Sequence, residues 1–90
     1  MKITFVETLF PDGIAGKKIA GSANWDANKS HIRFICPCGC GGYIDLPVKS
    51  MCPEGWDWDG NVDEPTLSPS ILNRPCGWHG YLRKGEWVTA

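Results

Sequence analysis

Ile35–Gly42 reads ICPCGCGG, three cysteines at every second position with only Pro37 and Gly39 between them. How that sulfur is used decides how a chain of 90 residues holds together. Cysteines two apart rarely bridge each other, because the small ring cannot easily reach the preferred S–S dihedral of about ±90°. On a strand, however, residues two apart share a face, so Cys36 and Cys38 converge on one ion without a turn. Gly39 and Gly41 let Cys40 swing in instead. A second cluster, PCGWHG, sets Cys76 and His79 at CxxH spacing, with Gly77 allowing a sharp turn. A structural zinc takes four thiolate or imidazole ligands. The set favoured by spacing is Cys36, Cys38, Cys76 and His79, with Cys40 a substitute for either partner in its cluster. Cys52, in SMCPEG, is a third candidate. The competing readings are small buried hydrophobes and a redox pair. A catalytic zinc is disfavoured, since there is no HExxH and thiolate-rich ligation suits a closed structural site.

Length and composition call for such a staple. The chain is read as one domain over residues 1–90, burying only about 60–65% of its unfolded surface. It carries 11 glycines and 7 prolines, and ordering each residue costs on the order of 1–2 kcal/mol. Small scaffolds of this kind use disulfides or a metal. A net charge of −1 and a pI near 6.0, with the charges scattered, speak against a nucleic-acid binder. No apolar run approaches the roughly 20 residues of a membrane span. MKITFVETLFPDG has none of the order of a signal peptide. The expected location is therefore a reducing cytoplasm, where five cysteines favour a metal over a disulfide framework.

The expected fold is mainly β, of short antiparallel strands and long glycine-rich loops. Ile3–Phe10 reads as a strand from its β-branched and aromatic content. The polar stretch 11–30 reads as a loop, with a weak turn of helix around Ala15–Ala20. His31–Cys36 and Tyr43–Val48 alternate and form a hairpin with the cysteines at its tip. Trp56 and Trp58 share a face of a short extended piece. Ser68–Asn73 is a strand, and Lys84-Gly85 is a two-residue turn between YLR and EWV. No window sustains a helical period over ten or more residues.

The second half, GWDWDGNVDEPTLSPSILNRPCGWHGYLRKGEW, carries a recognisable pattern. A cysteine-rich knuckle is followed by W-x-[FW]-x-G, by P-T-[LF]-[ST]-P-S, and by a histidine ahead of an aromatic hairpin. This resembles a family of small phage and bacterial proteins, and the resemblance runs from Ile32 to Trp87. It includes Cys36, Trp56, Trp58, Gly60, Pro65, Thr66, Ser68, Pro69, Ser70, His79 and Gly85. Phage members often carry the label ammonia monooxygenase, for which this chain offers neither the size nor a copper-type cluster. Some bacterial relatives sit in operons for ubiquitin-like protein conjugation, where they are regarded as serine-type proteases acting on the ubiquitin-like protein. Longer relatives have a CPxC knuckle with further Cys and His ligands after the hairpin, whereas this chain reads CPCGC.

The resemblance implies Ser70 as nucleophile and His79 as base. A serine hydroxyl attacks only when a neighbouring imidazole takes its proton. Asp57, Asp59, Asp63 and Glu64 are all near enough in sequence to orient the ring. One nitrogen of His79 cannot serve both zinc and a serine, so its role as ligand or base stays open. PTLSPS also reads as a proline-punctuated edge strand whose hydroxyls bond backbone. His31 reads as a solvated surface histidine. Of five tryptophans, most belong to the core, and any on the surface mark a partner-binding face. Two functions follow from these residues. One is a zinc-stapled accessory protein, phage-encoded or of phage origin, that binds a host or phage protein partner. The other is a minimal serine-type hydrolase acting on a ubiquitin-like protein.

Overall fold

The computed structural model describes residues 1–7, 18–49 and 52–90. Those residues form eight strands and no helix. They are β1 (Thr4–Phe5), β2 (Ser22–Trp25), β3 (His31–Ile35), β4 (Tyr43–Pro47), β5 (Asp57–Trp58), β6 (Leu67–Asn73), β7 (Trp78–Arg83) and β8 (Glu86–Thr89). They make two four-stranded sheets, each in chain order, β1 to β4 and β5 to β8. Every pairing is antiparallel except β1 with β2. The fold is mainly β.

The two sheets share one apolar core. Ile32, Phe34, Leu46 and Val48 come from or flank the first sheet, and Leu67, Ile71, Trp78, Leu82 and Trp87 come from the second. The alternation of strands produces this division: β7 runs buried and exposed residue by residue, with Trp78, Gly80 and Leu82 inward and His79 and Arg83 outward. Trp87 is the centre of the core. Its ring lies 4.4 Å from that of Phe34, and its indole N–H donates to the Gly21 carbonyl at 3.0 Å. The N-terminal residues tie both sheets. Ile3 N–H donates to Gly85 at 2.7 Å, while Val6 N–H donates to Ala23 at 2.9 Å.

Both expected hairpins are present. β3 pairs with β4 from His31↔Pro47 to Ile35↔Tyr43, with the cysteines beyond its end. β7 and β8 turn through Lys84 and Gly85, at φ 48° and 74°, the positive-φ pair that a two-residue hairpin needs. Three expectations are corrected. The first strand is only Thr4–Phe5 within the described residues, and the reading of 8–10 as its continuation lies outside them. Lys18–Ala20 is not helical, while the remainder of that expected helical turn, 15–17, also lies outside the described residues. Ser22–Trp25, read as loop, is strand β2. SANW has little β propensity, but Gly21 just before it lies against Trp87, where a Cβ would come within 3.1 Å of the indole. Small residues are selected there, and Ser22 and Ala23 are buried.

Candidate active site and metal centre

The cysteine cluster is built from two turns, one in each sheet. Beyond β3, Gly39 N–H donates to the Cys36 carbonyl at 3.2 Å and Cys36 N–H to Gly42 at 2.8 Å. Gly39 and Gly41 sit at φ 89° and 79°, which folds Cys38 and Cys40 back towards Cys36. Between β6 and β7, Gly77 at φ 77° closes the turn by donating to Asn73 at 2.7 Å. Together they bring the sulfurs of Cys36, Cys38, Cys40 and Cys76 all within 4.8 Å of one another.

The spacing tests the fit to an ion. A tetrahedron with Zn–S bonds of about 2.3 Å has S···S edges of about 3.8 Å. Cys36–Cys38, Cys38–Cys76 and Cys36–Cys76 lie at 3.4, 3.5 and 3.6 Å, far beyond a disulfide of about 2.05 Å. The cluster has the size and chemistry to hold a metal ion. Amide donors face it: Trp78 N–H and Asn73 Nδ2 reach Cys76 Sγ at 3.4 and 3.2 Å, and Gly42 N–H reaches Cys40 Sγ at 3.3 Å. The Trp78 N–H leads in drawing Cys76 down to about 7. Burial pushes Cys36 up to about 12, so its thiolate needs a cation beside it. Cys52 stands apart, its Sγ 3.9 Å from the Ser30 carbonyl.

His79 is not among these four. Cys76 lies in the turn, whereas His79 lies inside β7, where Trp78 points inward and His79 therefore outward. The CxxH spacing runs across the start of a strand, and strand alternation separates the two side chains. The imidazole meets Ser70 instead, with Nε2 at 2.9 Å from Oγ.

A bulge on β6 presents that serine. Leu67 pairs with Leu82 and Ile71 with Gly80, so Ser68, Pro69 and Ser70 stand opposite Tyr81 alone. Bulges of this kind re-aim a side chain. The Trp56 indole N–H holds the bulge by donating to the Pro69 carbonyl at 3.1 Å. The Ser68-Pro69 peptide is cis. Leu72 pairs with His79, which sets Ser70 and His79 diagonally on one open face, near enough for a direct bond. With the proton on Nδ1, Nε2 accepts the Ser70 hydroxyl hydrogen.

Two of the four acids considered as orienters have partners elsewhere. Asp57 pairs with Lys49 at 3.1 Å, and Asp59 accepts from Asn61 and Thr66 N–H at 3.0 and 3.2 Å. Among the described residues no carboxylate bonds His79, so its one side-chain hydrogen-bond partner is Ser70. His31 approaches Ser30 Oγ at 3.0 Å, but that hydroxyl donates to Asp26. The Asp26 carboxylate also accepts Ser30 and His31 N–H at 2.6 and 3.1 Å, which caps the β2–β3 turn. Trp78 and Trp87 are buried, while Trp25, Trp56 and Trp58 are half-buried at the core's edge.

Gathered sulfurs and a hydroxyl–imidazole pair on one small scaffold define a class, that of cysteine-rich β proteins with a serine and a histidine in contact on an open face. The family agrees: the model of the bacterial ubiquitination-like system serine protease (BubE) matches residues 7–90, and the chain belongs to that family. No curated protein and no solved structure matches the chain. Among the described residues, no helix is long and apolar enough to cross a membrane.

Proposed function

We propose that the chain is a serine-type peptidase acting on a ubiquitin-like protein, with Ser70 as nucleophile and His79 as base. The observation that carries this reading is the 2.9 Å contact between Ser70 Oγ and His79 Nε2, within the roughly 2.6–3.2 Å reach that proton transfer needs. As Oγ attacks the scissile carbonyl, Nε2 takes the hydroxyl proton. The imidazolium then gives that proton to the leaving amine, and water repeats the sequence on the acyl-enzyme. Cys36, Cys38, Cys40 and Cys76 hold Zn2+ as a closed structural tie, which suits a reducing cytoplasm. When bound, the ion supplies cross-linking and no chemistry at the dyad.

The second reading is a zinc-stapled accessory protein that binds its partner without cleaving it. It is favoured by the absence, among the described residues, of an acid bonded to His79 and by half-exposed Trp25 and Trp58, their rings tilted against each other at 4.5 Å. One experiment separates the two. Wild type, Ser70→Ala and His79→Ala are incubated with a ubiquitin-like substrate and, separately, with a fluorophosphonate probe. A peptidase loses cleavage by at least about 1,000-fold in either variant, Ser70→Ala takes no label, and metal content stays unchanged in both. Cleavage by Ser70→Ala at the wild-type rate overturns the peptidase. Loss of zinc in His79→Ala would return the imidazole to the metal site.

A further inference from the structure

The open face that carries Ser70 and His79 also carries a cation, Arg83, that makes no ion pair among the described residues. On β7, His79, Tyr81 and Arg83 follow one another at every second position, each step about 6.8 Å. The Arg83 guanidinium folds back over the Tyr81 ring, its carbon 4.1 Å from the centroid. Tyr81 is the residue opposite the bulge, so the charge is held towards Ser70. Elsewhere Arg33 faces Asp45 at 3.8 Å, and Lys49 faces Asp57 at 3.1 Å. Glu86, the cross-strand neighbour of Arg83, lies 3.5 Å from the amino group of Met1. Among the described residues no carboxylate lies within ion-pair distance of Arg83. Leu72, beside His79, and Val88, beside Tyr81, are 54% and 39% exposed and give the same face an apolar floor.

We propose that Arg83 is a specificity-determining residue that pairs with a carboxylate of the polypeptide laid across this face, two to four residues from the bond that Ser70 attacks. The inference rests on the Ser70–His79 reading for the word specificity, but its binding step is measurable alone. The interval follows from the two strand steps between His79 and Arg83, shortened by the fold of the guanidinium over Tyr81, set against about 3.3 Å per residue of extended substrate. The stack fixes the guanidinium before the ligand arrives, so less side-chain freedom is lost on pairing.

The test uses Ser70→Ala protein, which binds without turnover, and fluorescein-labelled octapeptides. One Asp is moved through an amidated, otherwise neutral sequence, with Asn at the same place as control. A neutral peptide with a free terminal carboxylate distinguishes a chain end from a side chain. Anisotropy is expected to show roughly three- to ten-fold tighter binding for one or two carboxylate positions, declining with salt. Adding Arg83→Gln should bring carboxylate and control peptides within about two-fold, and Arg83→Lys should restore part of the difference. An unaltered thermal melt shows that each variant folds. No carboxylate preference, or one that survives Arg83→Gln, overturns the proposal. An Arg83-dependent preference in a protein whose wild type cleaves nothing sinks the peptidase and leaves the anion site standing.

Discussion

Cys76 is the one sulfur in the cluster that comes from the second sheet, so replacing it with serine tests the tie between sheets. It stands 38 residues from Cys38. Closing a loop of that length removes about 4 kcal/mol of unfolded-chain entropy on the cross-link scale. A 90-residue chain has a net stability of only about 5–13 kcal/mol, and each kcal/mol moves the melting temperature of such a domain by about 4–8 °C. Cys76→Ser, or chelation of the wild type, should therefore lower the melt by about 15–30 °C. The two perturbations should not add, because an ion held by Cys36, Cys38 and Cys40 alone bridges nothing beyond its own turn. The assay is calorimetry with and without a strong chelator, alongside elemental analysis for zinc. Cys52→Ser serves as control, since Cys52 lies outside the cluster. Metal-free protein that melts unchanged after chelation, or Cys76→Ser that melts with the wild type, refutes the reasoning.

Other outcomes follow from single contacts. Ser30's hydroxyl, aided by the His31 and Ser30 N–H groups, holds Asp26 down to about 2 from 3.8. The unfolded chain binds more protons between those values, so this stabilisation is complete above the unfolded value and fades as pH falls towards 2; urea midpoints of wild type and Asp26→Asn should differ near about pH 6 and converge near about pH 2. A Cβ on Gly80 would sit 2.5 Å from the Val88 carbonyl and 2.6 Å from Trp78, so Gly80→Ala should destabilise by about 1–3 kcal/mol in urea unfolding. Trp56→Phe keeps a ring but loses the donor to Pro69, and should lower kcat by about 10-fold or more while shifting stability by only about 1 kcal/mol. Equal activity in that variant would show that the bulge needs no such anchor.

Residue types and spacing disclosed the hairpins, because alternation and the Lys84-Gly85 turn are local signals. Strand β2 was hidden because what holds it is remote in sequence: β3 pairs with it, and the Gly21 carbonyl just before it accepts from the Trp87 indole, a contact across 66 residues. The pull of Cys40 into the cluster depends on positive φ at Gly39 and Gly41, which glycine permits without requiring. His79 was ambiguous for a definable reason: CxxH is a turn spacing, and whether the fourth residue is still in the turn depends on where β7 begins. Counting from Trp78 as an inward residue would have sent His79 to the open face. The bulge had only Pro69 as a sign, and proline marks an irregularity without stating how many residues it adds; the strand read there as an edge is interior, β6 pairing with both β5 and β7.

Between Leu67 and Ile71 the bulged strand takes four steps while its partner takes two, and the parity of that difference matters for how such a scaffold changes over time. An even excess leaves both flanking side chains pointing into the core. Shortening this segment by a dipeptide would thus erase the bulge and keep every inward residue inward. Losing one residue would invert the whole remainder of the strand. Gain or loss of the bulge is in this sense a two-codon event, uncoupled from the architecture that bears it.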